Sequence, residues 1–95
     1  MDYTLFELKC KEVIETKSGI MLGRIDDIKF NSDNGSIESF IVYGRPRFFG
    51  LLGREEDVII NFSDIDLIGK DTVLVLGSRL ESGQKEMKFL KNISK

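Results

Sequence analysis

The chain is expected to fold as a small all-β domain of the barrel class. Three observations predict this: short apolar runs about ten residues apart, glycine- and asparagine-rich turns between them, and no long helical periodicity. Closing such a sheet removes the unpaired edges that an open sheet exposes. Ninety-five residues make one domain. With 41% hydrophobic and 32% charged residues, the composition is that of an ordinary globular protein.

In chain order, Thr4 to Lys9 reads as a helical lead-in capped by Thr4, with Glu7 in the capping-box position. Leu5, Phe6 and Leu8 are available there to plug one end of the core. Glu12 to Thr16 is the first strand, ended by Ser18-Gly19. Met21 to Phe30 reads as one longer strand with a bulge near Ile25-Asp26-Asp27-Ile28, and Gly23 inside it marks a close backbone approach or a barrel corner. Asn31 to Ser36 contains Asn34-Gly35, the strongest hairpin signal in the chain, and Ile37 to Tyr43 resumes as a strand. Asp57 to Phe62, Ile65 to Ile68 and Thr72 to Leu76 complete five or six strands. The expected core draws on Val13, Ile14, Leu22, Ile25, Ile28, Phe40, Val42, Ile59, Ile65, Ile68, Val73 and Val75.

The net charge of −2 hides an uneven distribution. Residues 1–77 carry nine basic and fourteen acidic groups, whereas 78–95 carry five basic and two acidic ones. An acidic body repels a nucleic-acid backbone, and the basic tail is the one part suited to touch it or an anionic lipid surface. The residues thus divide into a domain, 1–77, and a basic tail, 78–95, which is helical or flexible. Within the tail Met87, Phe89, Leu90 and Ile93 fall on one side of a helix and Lys85, Lys88, Lys91 and Lys95 on the other. No apolar stretch approaches the ~18 residues of a membrane span. Met1 to Thr4 lacks the order of a secretory signal, and a lone Cys10 fits a reducing cytoplasm.

The sequence motifs resemble a known family. Lys11-Glu12-Val13-Ile14, then Gly19-Ile20-Met21-Leu22-Gly23, then Gly35 to Val42 follow the pattern of a PRC-barrel domain. Phe49-Gly50-Leu51-Leu52-Gly53-Arg54-Glu55-Glu56-Asp57 is similar to the loop of the YlmC/YmxH sporulation-associated proteins. Val58 to Ile60 and Ile65 to Val75, with its Ile68-Gly69-Lys70-Asp71 turn, extend the match. One departure is Asn61-Phe62, where such proteins typically carry Pro-Trp. The resemblance implies a six-stranded barrel that acts as a binding or assembly module. Such domains also occur fused to a ribosome-maturation factor and in the H subunit of photosynthetic reaction centres.

No residue set for catalysis stands out, and the chain is read as a non-enzyme without cofactor or metal. It has no histidine, which removes Ser-His and Cys-His nucleophile systems. Cys10, beside Lys9 and Lys11, reads as a small, partly buried side chain rather than a reactive thiol. Asp26 and Asp27, adjacent on a strand, point to opposite faces and cannot share a metal without a bulge. Glu55-Glu56-Asp57 reads as a solvated cluster paired with Arg54. Asp33-Asn34-Gly35 lacks the alternating ligands of a calcium loop, and Gly44, Gly50 and Gly53 do not stand in phosphate-loop order.

The feature that carries function is the connection 44–54. It is about eleven residues long where ~2–5 is usual, with Phe48, Phe49, Leu51 and Leu52 close together and Arg45, Arg47 and Arg54 around them. Exposed, these side chains form the kind of apolar, arginine-flanked patch that binds protein. Folded back, they cap a barrel end. Both readings stand for Phe49 and Leu52. Phe48, Leu51, Arg45 and Arg47 lean to the surface. The expected function is a cytoplasmic protein-interaction module, self-associating as a homodimer through these seven residues. The alternative is an RNA- or ribosome-associated accessory factor using the arginines and the tail.

Overall fold

In the computed structural model the described residues are 1–44 and 55–81. Thr4 caps α1 (Leu5–Lys9): its hydroxyl accepts from the Glu7 backbone N–H, and the Glu7 carboxylate reaches back to the Thr4 N–H at 3.1 Å. The Thr4 N–H foremost, and next the Thr4 hydroxyl, which donates to the same carboxylate at 3.0 Å, hold the Glu7 carboxyl below its ordinary range. A depressed carboxylate pKa stabilises the fold above the unfolded-state value and ceases to as pH falls through the folded one. Helicity over residues 4–10 is therefore expected to fray on acidification below the normal glutamate range. Glu7→Gln should flatten that dependence in amide-exchange or NMR titrations.

Only Leu8 of α1 enters the core; Leu5 and Phe6, expected to plug it, are 43% and 77% exposed. One apolar position per turn is all that a five-residue helix can turn inward.

The strands are β1 (Glu12–Glu15), β2 (Met21–Arg24), β3 (Asp27–Phe30), β4 (Ile37–Val42), β5 (Asp57–Asn61), β6 (Ile65–Ile68), β7 (Thr72–Val75) and β8 (Arg79–Glu81). They form two four-stranded sheets, ordered β2-β1-β7-β6 and β3-β4-β5-β8. The expected six-stranded barrel is thus corrected on two counts. Among the described residues there are eight strands, and their ladders make two sheets with no closed barrel. The run Met21 to Phe30 is not one bulged strand: it breaks at Ile25-Asp26, and the chain passes from the first sheet to the second. Ile25 is 2% exposed at that corner, and the Asp26 N–H donates to the Ile41 carbonyl across it at 2.8 Å. The eighth strand lies in the segment read as tail, where Arg79 to Glu81 pairs antiparallel with β5.

The chain changes sheet twice more, through a 3-10 turn at Phe62–Asp64 and again between β7 and β8. Phe62, at the position of the departure from Pro-Trp, is half exposed, with its ring 6.4 Å from that of Phe40. The hairpins predicted at Ser18-Gly19 and Asn34-Gly35 join β1 to β2 and β3 to β4.

The core lies between the sheets and gathers Leu8, Val13, Ile25, Phe40, Val42, Ile60, Val73 and Val75. Complete burial of such a side chain stabilises by about 1.5–3 kcal/mol. Two expected core positions lie elsewhere. Ile60, not Ile59, belongs to the cluster; Ile59 is buried on the alternate face of β5. Ile14 alternates with the fully buried Val13, so it takes the outer face of its sheet.

Lys11 is 8% exposed. Its ammonium donates to the carbonyls of Gly69 at 2.7 Å and Lys70 at 2.5 Å, and stands 5.5 Å from the centre of the Tyr3 ring. It thereby grips the β6–β7 turn from the far end of the chain. Lys11→Met keeps the stem and removes the charge-assisted bonds. It should cost about 2 kcal/mol, read as a lower urea midpoint with an unchanged slope.

Candidate interaction site at the root of the 44–54 connection

The antiparallel pair β4–β5 ends with Val42 opposite Val58, and the chain leaves it for the long connection. Tyr43 and Gly44 form the outgoing side of the root and Glu55 and Glu56 the returning side. Three carboxylates secure it. The Tyr43 N–H donates to Asp26 at 2.8 Å, and its phenol donates to Asp27 at 2.7 Å. The Gly44 N–H donates to Asp57 at 2.7 Å, and Asp57 is buried. Charge-assisted bonds of this kind are about twice as strong as neutral ones.

Gly44 is where the two sides meet most closely. A Cβ built there would lie 1.8 Å from the Glu55 carbonyl oxygen and 2.8 Å from that of Glu56. No side chain fits in that space, so only glycine allows the backbones to approach.

Beside the root is an open cleft of about 610 Å³, lined among others by Met21, Leu22, Arg24, Tyr43, Glu55 and Glu56. It joins the β2 edge of the first sheet to the end of β4 in the second. Five acidic residues (Asp26, Asp27, Glu55, Glu56 and Asp57) surround the root, and among the described residues that line the cleft Arg24 is the cation.

The seven residues expected to bind a partner, Arg45, Arg47, Phe48, Phe49, Leu51, Leu52 and Arg54, lie outside the described residues, as does the tail from 82. What the structure adds is their anchorage. Asp26 and Asp27 do not diverge as adjacent strand residues would, because Asp26 sits in the corner between β2 and β3. Both carboxylates converge on Tyr43, which is a structural use and not a cation site. Glu55-Glu56-Asp57 is not a uniformly solvated cluster either: Asp57 turns inward to Gly44. Cys10, expected to be partly buried, is exposed at the C-terminus of α1. Among the described residues no group of three or more Cys, Asp or Glu side chains is arranged to hold a metal ion.

Tyr43 was not singled out from sequence, and Asp57 was read only as a member of the solvated 55–57 cluster. A signal existed: an acidic residue opening an apolar strand, opposite a glycine that ends the strand before it.

The PRC-barrel domain pattern matches residues 2–81, which take in every strand from β1 to β8. The chain belongs to the PRC-barrel domain family. This PRC-barrel domain is 35% identical over 72 residues to the probable sporulation protein YlmC of Bacillus subtilis, covering 76% of the present chain and 89% of the relative. It is also 32% identical over 78 residues to an uncharacterized protein of Clostridium acetobutylicum, covering 82% of this chain and 88% of that one. Two pieces of the PRC-barrel sequence pattern that stand far apart in the chain, Lys11 and the Gly69-Lys70 turn, are in direct contact. Among the described residues no helix is long and apolar enough to cross a membrane.

Proposed function

We propose that this PRC-barrel domain is a non-catalytic assembly module that binds protein, and first of all a second copy of itself, through Arg45, Arg47, Phe48, Phe49, Leu51, Leu52 and Arg54. The observation that supports it best is the pinned root. Tyr43 and Gly44 are tied to three carboxylates from two different parts of the fold, so the connection starts from a fixed platform. A binding segment held at its base loses less conformational freedom on contact, which favours affinity. The chain works in the reducing cytoplasm, which the free thiol of Cys10 supports. The name of the Bacillus relative supports placing that work in spore-forming cells.

The RNA-binding alternative is disfavoured by the same geometry. Five carboxylates around the root oppose a phosphate backbone at the place where the arginines emerge.

Sedimentation of the full chain tests the proposal. A dimer is expected, and Phe48→Asp or Leu51→Asp should dissociate it without lowering the melting temperature of the domain. A chain that stays monomeric throughout the micromolar range would overturn self-association. A salt-sensitive shift of structured RNA would favour the alternative.

A further inference from the structure

The last strand ends at the root of the 44–54 connection. β8 pairs antiparallel with β5, and its final residue, Glu81, stands opposite Asp57, whose carboxylate accepts from the Gly44 N–H. Residues 82–95 therefore set out from the same end of the second sheet as the connection does. The register also fixes what they meet first. Val42 stands opposite Val58, and Val58 opposite Leu80, so the three side chains make one row on the core-facing side of that sheet. Val42 is buried, Val58 partly buried, and Leu80 is 63% exposed. Val42 and Val58 line the cleft beside the root, whose other wall carries Met21 and Leu22 of β2. Leu80 is thus the near end of an apolar trough that runs from β8 to the first sheet.

The rim of the trough is acidic. Among the described residues that line the cleft, Asp26, Glu55 and Glu56 are exposed acids, set against the single cation Arg24. The tail matches this surface in charge, pattern and length. Residues 82–95 hold four lysines and one glutamate. On a helix over 84–95, Met87, Phe89, Leu90 and Ile93 share one side and the lysines the other. With the apolar side in the trough, the long lysine stems reach outward to the carboxylates on its rim. Twelve helical residues cover about 18 Å. Three strands ~4.8 Å apart take up about 10 Å of that, and the remainder reaches β2. So short a helix needs a surface to form on. Only Ser82-Gly83 separates it from β8, and a tether that short gives an effective concentration of about millimolar, which favours the tail of the same chain over that of another copy.

We infer that the cleft beside the root is the docking site of the chain's own C-terminal segment, residues 84–95. Its apolar side packs along Leu80, Val58 and Val42, and its lysines face Asp26, Glu55 and Glu56. This contact goes beyond self-association and does not depend on what the 44–54 connection binds.

The test uses the full chain in a Cys10→Ser background, with a nitroxide attached at Ser94→Cys. The amide signals of Met21, Leu22 and Val58 should broaden, and those of Asn34 and Ser63, at the other end of the second sheet, should not. Leu90→Asp should shift the docking equilibrium toward the free tail by about ten- to a hundredfold, the equivalent of one buried leucine, and abolish the broadening. Glu55→Lys with Glu56→Lys should release the tail as well, and adding Lys88→Glu with Lys91→Glu should bring it back. Melting curves check that each variant is folded. Broadening that is absent from the cleft, or strongest at Asn34 and Ser63, overturns the inference. So does broadening of an isotope-labelled chain by a nitroxide on a different copy, because the occupant is then a second copy's tail. Methyl signals of Val42 and Val58 that move in Phe49→Asp but not in Leu90→Asp overturn it too, since the connection itself then fills the cleft. A dimer lost in Phe48→Asp with the tail contact intact supports both readings, and a monomer with the contact intact supports this one alone.

Discussion

Gly44→Ala is expected to be the most damaging single-methyl change in this domain. The added Cβ would sit 1.8 Å from the Glu55 carbonyl oxygen, against backbone that cannot swing aside as a side chain would. Relief requires the two sides of the root to part, and that stretches the Gly44–Asp57 hydrogen bond and leaves a buried carboxylate with one donor fewer. Overpacking costs about 1–3 kcal/mol and a weakened charged hydrogen bond adds to it, so a loss of about 3 kcal/mol is expected. For a domain of this length that is roughly 12–24 °C in melting temperature. Gly77→Ala is the control, because nothing lies within 4 Å of a Cβ there. If the two variants melt together, the close approach at the root does not constrain the fold. If the root also positions a binding segment, Gly44→Ala should weaken self-association at temperatures where the domain is still folded.

Gly23→Ala should rank second, for two separable reasons. Its φ of +131° is a conformation that side-chain-bearing residues rarely adopt, and a Cβ there would lie 2.8 Å from a γ-methyl of Val42. The first effect costs about 1–3 kcal/mol, and the second has the same order. Since the branched Val42 is itself buried in the core, it has little room to rotate away. Shortening the neighbour tells the two apart. In Gly23→Ala with Val42→Ala the collision is gone and the backbone strain is not. Measured against Val42→Ala alone, the glycine substitution should then cost roughly half of what it does in the wild type. A cost that vanishes in that background would mean that φ at position 23 carries no strain.

Gly23 is also a fair measure of what the sequence made legible. A glycine inside a β run announces a close approach, and Val42 in the facing sheet is what approaches it. The capped helix, the turns at Ser18-Gly19 and Asn34-Gly35, and most of the core were readable for the same reason. Each rests on chemistry within a few residues of itself. The break at Ile25-Asp26 was not readable as a change of sheet. A bulge and a sheet switch both put a polar pair out of phase, and which of them occurs depends on whether Asp27 pairs with Ile41, fourteen positions on. The β8 strand escaped because Arg79, Leu80 and Glu81 are too few and too exposed to show a pattern; only the waiting edge of β5 makes them a strand. Nothing local marks Lys11 as buried, since the carbonyls that bury it come from 58 and 59 positions away. At the candidate site the apolar connection was plain from composition, while its anchorage by Asp26, Asp27 and Asp57 depends on tertiary placement.

The order of strands in the two sheets has one more consequence. Residues before the 44–54 connection supply β2-β1 to one sheet and β3-β4 to the other, and residues after it supply β7-β6 and β5-β8. Each half of the chain therefore contributes half of both sheets, and the halves meet along two seams, the parallel β1–β7 ladder and the antiparallel β4–β5 ladder. Neither half can cover its own apolar surface, so a chain still emerging from the ribosome cannot finish either sheet until β7 and β8 have been made. The same division makes the halves complementary fragments. A peptide bond cut inside the connection would leave two pieces with every strand pairing still available to hold them together. Two intact chains would need only an opened connection to trade halves, each completing the other's sheets with the ladders it already uses within itself.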